Sequence, residues 1–294
     1  MGFIREPRVV AEIGCNHRGS FETAKEMIMM TAQFCKVPVV KFQKRNPREC
    51  LTPEEYKTPH PNPYHSYGAT YGEHREFLEF DLETHRRLKE VCESYGVDYS
   101  TSVWDLTSAA EIVTLEPKFI KVPSACNTHL ELLTKLCYEF GGDIHISLGM
   151  TERKEEEQII DLLCKKGRLG NVVLYHCTSG YPVAFEDLNL LEIRRLVKTY
   201  GSKVKAIGYS GHHLGIAADV AAFVLGADWV ERHFTLDRTW KGTDHAASLE
   251  PDGLRRVMRD LKAIALALQE RPRDILPVEE ETRRKLKWDR NKNT

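Results

Sequence analysis

The sequence predicts a single (β/α)8 barrel, and three observations carry that prediction. Eight short apolar, β-branched runs recur along the chain, separated by amphipathic helical stretches. The runs are continuously apolar rather than alternating, as in parallel strands buried on both faces. The length of 294 residues suits one such barrel. An open doubly wound sheet and a pair of smaller domains are the competing architectures.

Taken in order, the first strand is RVVAEIG (8–14), followed by the helical stretch FETAKEMIMMTAQFC and a second strand, VVKFQ (39–43). The rhythm then breaks. Residues 44–80 form a Pro- and Tyr-rich stretch, far longer than an ordinary βα loop and too aromatic for plain disorder. It resumes with the helix LETHRRLKEVCESYG and the strands VDYSTSV (97–103), FIKVPS (119–124), DIHISLG (143–149) and VVLYHCT (172–178). VKAIGYSGH (204–212), the helix LGIAADVAAFVLGA and DWVERHFT (228–235) complete eight units. A last helix spans about 252–270. The expected division is a barrel over 1–272 and a charged tail over 273–294, peripheral or in contact with a partner.

Composition narrows the function classes. Forty-two basic against 43 acidic residues leave a formal charge of -1, so no nucleic-acid or anionic-membrane partner is expected. The N-terminus has no apolar core followed by small residues, so no secretion signal is expected. Met1-Gly2 starts like a myristoylation site, but Glu6 stands where Ser or Thr is needed. No apolar run approaches the roughly 18 to 20 residues of a membrane span. The eight cysteines contain no CxxC pair, which predicts reduced thiols and a cytoplasmic location.

Polar residues gather where strands end. The series runs Glu12; Lys41 and Gln43; Thr101, Lys121 and Ser124; Ser147; His176 and Thr178; Ser210 and His212; Glu231 and His233. In a parallel barrel those ends share one face, the face that carries chemistry. One such residue could be a satisfied core group, but eight strands doing this together predict a site. Lys41 and Lys121 with nearby hydroxyls suit a phosphate and a carboxylate. The alternatives for the lysines are ordinary ion pairs or a Schiff-base nucleophile. His212 and His233, on consecutive strands, suit a divalent metal with open positions, or else are hydrogen-bonded core imidazoles. Glu12 could move a proton. GxGxxG, GxxxxGK[ST] and GxSxG motifs are all missing.

At these residues the chain resembles the N-acetylneuraminate (sialic acid) synthase family over nearly its whole length. The matching blocks are AEIGCNHRGS (11–20), VVKFQ (39–43), STSVWD (100–105), IKVPSA (120–125), ISLGM (146–150), HCTSGYP (176–182), GYSGHHLGI (208–216) and ERHFTLDRTWKGTDHAASLEP (231–251). The resemblance implies a barrel transferase that condenses phosphoenolpyruvate with an open-chain amino sugar or sugar, forming a nine-carbon 2-keto acid and phosphate. His212 and His233 match metal ligands, for manganese, magnesium or cobalt. Lys41, Thr101, Lys121, Ser124, Ser147 and Ser210 match phosphoenolpyruvate positions, Glu12 the proton-transfer carboxylate, and Gln43, Tyr181 and Asp244 the acceptor side. A homo-oligomer is the expected assembly.

Three departures bear on the acceptor. Cys126 stands where the family's KIGSGE block is acidic, and Ser179 stands where many bacterial members have Asn. No block matches the family's C-terminal antifreeze-like domain; the 44–80 stretch, the tail or another chain would then complete the site. TYGEH (70–74) and TWKGTDHAAS (239–248) look more like the animal enzymes, which use a sugar 6-phosphate. Lys241 or Arg75 could then meet the phosphate, unless each is a solvated surface charge. Competing functions are a related synthase of an eight-carbon keto acid, a Schiff-base pyruvate aldolase through Lys121, and a non-catalytic binding barrel.

Overall fold

The computed structural model describes residues 6–288, so the Met1-Gly2 motif and the last residues of the tail lie outside the described part. Eight parallel strands close into a barrel in chain order, with β8 pairing β1. They are β1 (Arg8–Gly14), β2 (Val39–Lys44), β3 (Asp98–Val103), β4 (Phe119–Val122), β5 (Asp143–Ser147), β6 (Val172–Cys177), β7 (Ala206–Gly211) and β8 (Trp229–His233). Each end lies within two residues of the apolar run that predicted it.

The helices are α1 (Phe21–Met30), α2 (Pro47–Cys50), α3 (Pro53–Lys57), α4 (Tyr71–Leu78), α5 (Leu82–Ser94), α6 (Leu106–Val113), α7 (Leu130–Glu139), α8 (Arg153–Lys165), α9 (Leu191–Tyr200), α10 (Ala217–Leu225), α11 (Pro251–Ala267) and α12 (Pro277–Leu286). Side-chain caps start several of them. Ser20 accepts from the Thr23 amide (3.2 Å), Asp81 from Thr84 (2.8 Å) and Asp105 from Ser108 (2.7 Å).

Two apolar layers result from the period-two alternation of strands. Outward residues such as Ala11, Ile13, Val40 and Phe42 join helix residues such as Met27, Leu88 and Leu133 in the main core. Inward residues Val10, Val39, Phe119, Val173, Tyr175 and Trp229 form a separate cluster inside the barrel. Within it the Phe119 ring stacks on His145 at 3.8 Å, and Trp229 meets the same imidazole edge-on at 4.6 Å. This plug fills the lower barrel.

The 44–80 stretch is ordered, built of α2, α3, α4 and a short 3-10 turn. Tyr67 stacks on Phe77 (4.9 Å) and donates to the Lys241 carbonyl (2.5 Å), while the Gly242 amide donates to His65 Nδ1 (3.1 Å). The insertion is thereby tied to the loop after β8. In the tail, α12 has no buried residue. No helix among the described residues is long and apolar enough to cross a membrane.

Candidate active site

Above the apolar plug, the next inward residues are charged. Lys41 Nζ contacts Glu12, donates to Ser102 Oγ (2.7 Å) and lies 3.8 Å from Glu231 Oε2. Lys121 Nζ donates to both Glu231 oxygens (3.1 and 3.0 Å) and sits 3.8 Å over the Tyr175 ring. Ser210 Oγ donates to Glu231 Oε1 at 3.1 Å. All four charged side chains are buried. The lysines are therefore ion-paired at the strand ends, the plainer of the readings open in the sequence. Buried charges persist when paired and hydrogen-bonded in this way.

The two carboxylates differ. Burial pushes the Glu12 carboxyl above its ordinary range, and Lys41 only partly opposes this. Burial also works against ionised Glu231, but Lys121 and Lys41 outweigh it and hold the group well below the usual range. The same buried network thus shifts its two carboxyls in opposite directions. Burial lowers the Lys121 ammonium, against the pull of Glu231.

At the same mouth the His212 and His233 rings lie 5.4 Å apart, centroid to centroid. His212 Nδ1 donates to the Thr178 carbonyl (3.2 Å), and burial, with His233 beside it, lowers its pKa to about 3. A neutral imidazole with one nitrogen anchored to a carbonyl is the form that binds metals. His233 Nδ1 is buried with no hydrogen-bond partner and lies 3.9 Å from Asp244 Oδ2. This orphaned nitrogen and the adjacent neutral ring fit a divalent ion held by two protein ligands. Among the described residues, no group of three or more His, Cys, Asp or Glu side chains is arranged to hold one.

Gln43 Nε2 donates to Glu12 Oε1 at 3.0 Å, and Gln43 Oε1 accepts from Arg45. Gly14 makes room for that pair. A Cβ there would lie 2.9 Å from Gln43 Nε2, and its φ of +55° favours glycine. Tyr181, half-exposed beside a cis Tyr181–Pro182 bond, places its ring 4.3 Å from His212 and 5.9 Å from His233. Ser124 Oγ accepts from the Gly149 amide (3.0 Å), and Ser147 shares the inner face of β5 with His145.

Glu12, Gln43, Lys41, Lys121, Ser124, Ser147, Tyr181, Ser210, His212, His233 and Asp244 thus lie at one end of the barrel. Thr101 does not join them. It pairs with outward-facing Phe42, and its hydroxyl lies beside the Tyr99 phenol, which hydrogen-bonds His85 on the helix side (2.8 Å). Ser102, one residue on, takes the inward place. His176 also faces away from the interior, hydrogen-bonded to the Leu188 carbonyl (2.7 Å). Sequence reasoning gave no role to Glu231, although it is two residues from inward-facing Trp229, the signal that could have found it.

Cys126 donates its thiol to the Trp104 carbonyl (3.2 Å), and burial raises its pKa to about 11. It is a neutral donor where an acidic residue was the point of comparison.

The sequence model of the NeuB family matches residues 27–272. N-acetylneuraminate-9-phosphate synthase of Homo sapiens is 37% identical over 92% of this chain and 74% of its own length. N,N'-diacetyllegionaminic acid synthase of Campylobacter jejuni is 32% identical over 90% of this chain and 78% of its own length. The crystal structure of an N-acetylneuraminic acid (sialic acid) synthetase from Leptospira borgpetersenii, in complex with citrate, superposes with a TM-score of 0.81. That pair is 25% identical, with 97% of this chain and 93% of the other covered.

Proposed function

The chain belongs to the NeuB family, and on that premise we propose that it is a nonulosonic acid synthase. It condenses phosphoenolpyruvate with an open-chain amino sugar, N-acetylmannosamine or its 6-phosphate in type, to give a 2-keto acid and phosphate. The observation that carries this reading is the meeting of the Glu12–Lys41–Glu231–Lys121 quartet with the His212/His233 pair at one barrel mouth.

Lys41 and Lys121, with the hydroxyls of Ser102, Ser124, Ser147 and Ser210, hold the phosphate and carboxylate of phosphoenolpyruvate. Glu231 fixes both lysines before substrate arrives, so little reorganisation is left for the reaction. Carbon 3 of the enol then attacks the acceptor aldehyde, water adds at carbon 2, and phosphate departs with cleavage of its C–O bond. Glu12, whose pKa burial raises above the ordinary carboxyl range, handles the proton at the new hydroxyl or at the water. Gln43, Tyr181 and Asp244 orient the acceptor. His212 and His233 would hold a manganese, magnesium or cobalt ion, which when bound supplies Lewis-acid polarisation of the aldehyde. Catalysis is assigned to the barrel over 1–272, leaving 273–294 as an appendage. A cytoplasmic, homo-oligomeric enzyme goes with this reading.

The test is phosphate release from phosphoenolpyruvate with manganese and a panel of aldose acceptors, followed by product mass. Release that requires an acceptor, and falls at least about a hundredfold in His212→Ala or His233→Ala, is the expected result. Full activity in metal-stripped buffer would remove the metal assignment. A borohydride-trapped pyruvate adduct on Lys121 would replace the synthase with an aldolase.

A further inference from the structure

Strand alternation gives each inward histidine an outward neighbour. Beside His233 on β8 that neighbour is Arg232, and after His212 at the end of β7 it is His213. Both side chains are fully buried, and Asp219 of α10, equally buried, completes the group. Arg232 Nη1 donates to Asp219 Oδ2 (2.5 Å) and to the Gly215 carbonyl (3.0 Å), and lies 3.1 Å from His213 Nε2. Nη2 donates to the His213 carbonyl (2.6 Å). On its other side the His213 ring meets the Tyr209 hydroxyl at 3.1 Å. Gly211 leaves room for that pair, since a Cβ there would lie 2.7 Å from the Tyr209 ring and 3.1 Å from His213 Cε1. The His212 carbonyl is held as well, by the Val183 amide (3.0 Å).

A single guanidinium, one peptide away from His233, thus grips the backbone just beyond His212 at two points. The group is a poor source of stability. Asp219 Oδ1 and Arg232 Nε are buried without a hydrogen-bond partner. A buried ion pair with atoms left over is often no better than apolar residues of the same volume. What apolar packing cannot supply is direction. The planar fork of an arginine fixes its distances to two carbonyls and a carboxylate at once, which a lysine nitrogen does not.

We propose that Arg232 is a positioning residue, which with Asp219 sets the spacing and orientation of the His212 and His233 rings, 5.4 Å apart, and thereby the affinity of that pair for a divalent ion. The inference rests on the proposed metal assignment of the two histidines and extends it to side chains that face away from the mouth. Groups behind metal ligands commonly govern affinity by about tenfold to a hundredfold. Here the control runs through the backbone: Arg232 is covalently next to one ring and hydrogen-bonded to the chain that carries the other.

The experiment measures manganese binding in the absence of substrates, from loss of the free-ion electron paramagnetic resonance signal. It compares the parent protein, Arg232→Lys and the double variant Arg232→Met/Asp219→Leu, with His212→Ala giving the background from other carboxylates. Arg232→Lys keeps a cation opposite Asp219 but cannot span both carbonyls, and should weaken manganese binding about tenfold to a hundredfold. The double variant removes both charges together, so its urea midpoint should stay near the parent's while its manganese affinity falls by a similar factor. In both, the phosphoenolpyruvate KM at saturating manganese should match the parent's, because Lys41 and Lys121 stand on β2 and β4. Parent-like manganese affinity in the folded variants, with activity falling only in step with the folded fraction, makes the group ordinary core packing and overturns the inference. A parent protein that binds no more manganese than His212→Ala overturns it together with the metal assignment, while acceptor-dependent phosphate release leaves the condensation standing.

Discussion

Two levels of the barrel interior, one stride of the strand apart, are chemical opposites. Val10, Val39, Phe119 and Trp229 fill the lower level; two residues further along the same strands stand Glu12, Lys41, Lys121 and Glu231. Two residues advance a strand by about 6.6 Å and return the side chain to the same face. Over that distance the interior passes from an apolar, aromatic plug to a network of four ionisable groups. The plug shields the charges from below, which strengthens their mutual attraction and leaves them open only toward the mouth.

The sharpest way to break the contrast is to make the upper level resemble a badly built lower one. Glu231→Gln leaves Lys121 without its anion and should destabilise the fold by about 3–5 kcal/mol in urea unfolding. Phosphate release should fall with it. A loss below about 1 kcal/mol would show that the lysines find other partners.

Truncating the lower level should separate stability from chemistry. Phe119→Ala removes the ring stacked on His145 and should lower stability by about 3 kcal/mol. The folded fraction should keep its phosphoenolpyruvate KM. A large change in KM would mean that the plug positions the charges as well as shielding them.

The smallest effect concerns the back of the sheet, where a titratable group is kept neutral. Burial lowers the His85 pKa from 6.5 to about 3. The contribution is complete above pH 6.5. Below it the unfolded chain binds a proton that the folded chain refuses, so stability declines as pH falls from 6.5 toward 3. The slope is about 1.4 kcal/mol per pH unit for each such histidine. His17, also lowered to about 3 by burial, adds to it. His85→Phe should remove one group's share of the slope in urea midpoints taken between pH 6 and 5. Identical slopes would place the acid sensitivity elsewhere.

Strands were legible in the sequence because both their faces are buried, which writes them as uninterrupted apolar runs. The site was legible because its polar residues interrupt those runs at one end. What failed was resolution to a single residue. Thr101 and Ser102 are adjacent hydroxyls in one run, and a one-residue difference exchanges the two faces of a strand. Glu231 was visible as a polar strand end, but which cation it meets depends on β4 and β8 lying across the interior from each other. The helices of the insertion left a usable trace. Thr52–Glu55 and Thr70–Glu73 are capping boxes that open α3 and α4. By contrast, α12 buries nothing, so no apolar stripe announces it.

One consequence comes from the stacked rings of Phe119, His145 and Trp229 beneath Lys121. They stopper the vessel at its base, so traffic in both directions shares a single doorway. Whatever rests against the lysines must arrive before anything seated nearer the histidines, and it is the last to find its way out. On the proposed chemistry this sets a queue: the enol first, the sugar second, and inorganic phosphate detained until the long product has cleared the threshold.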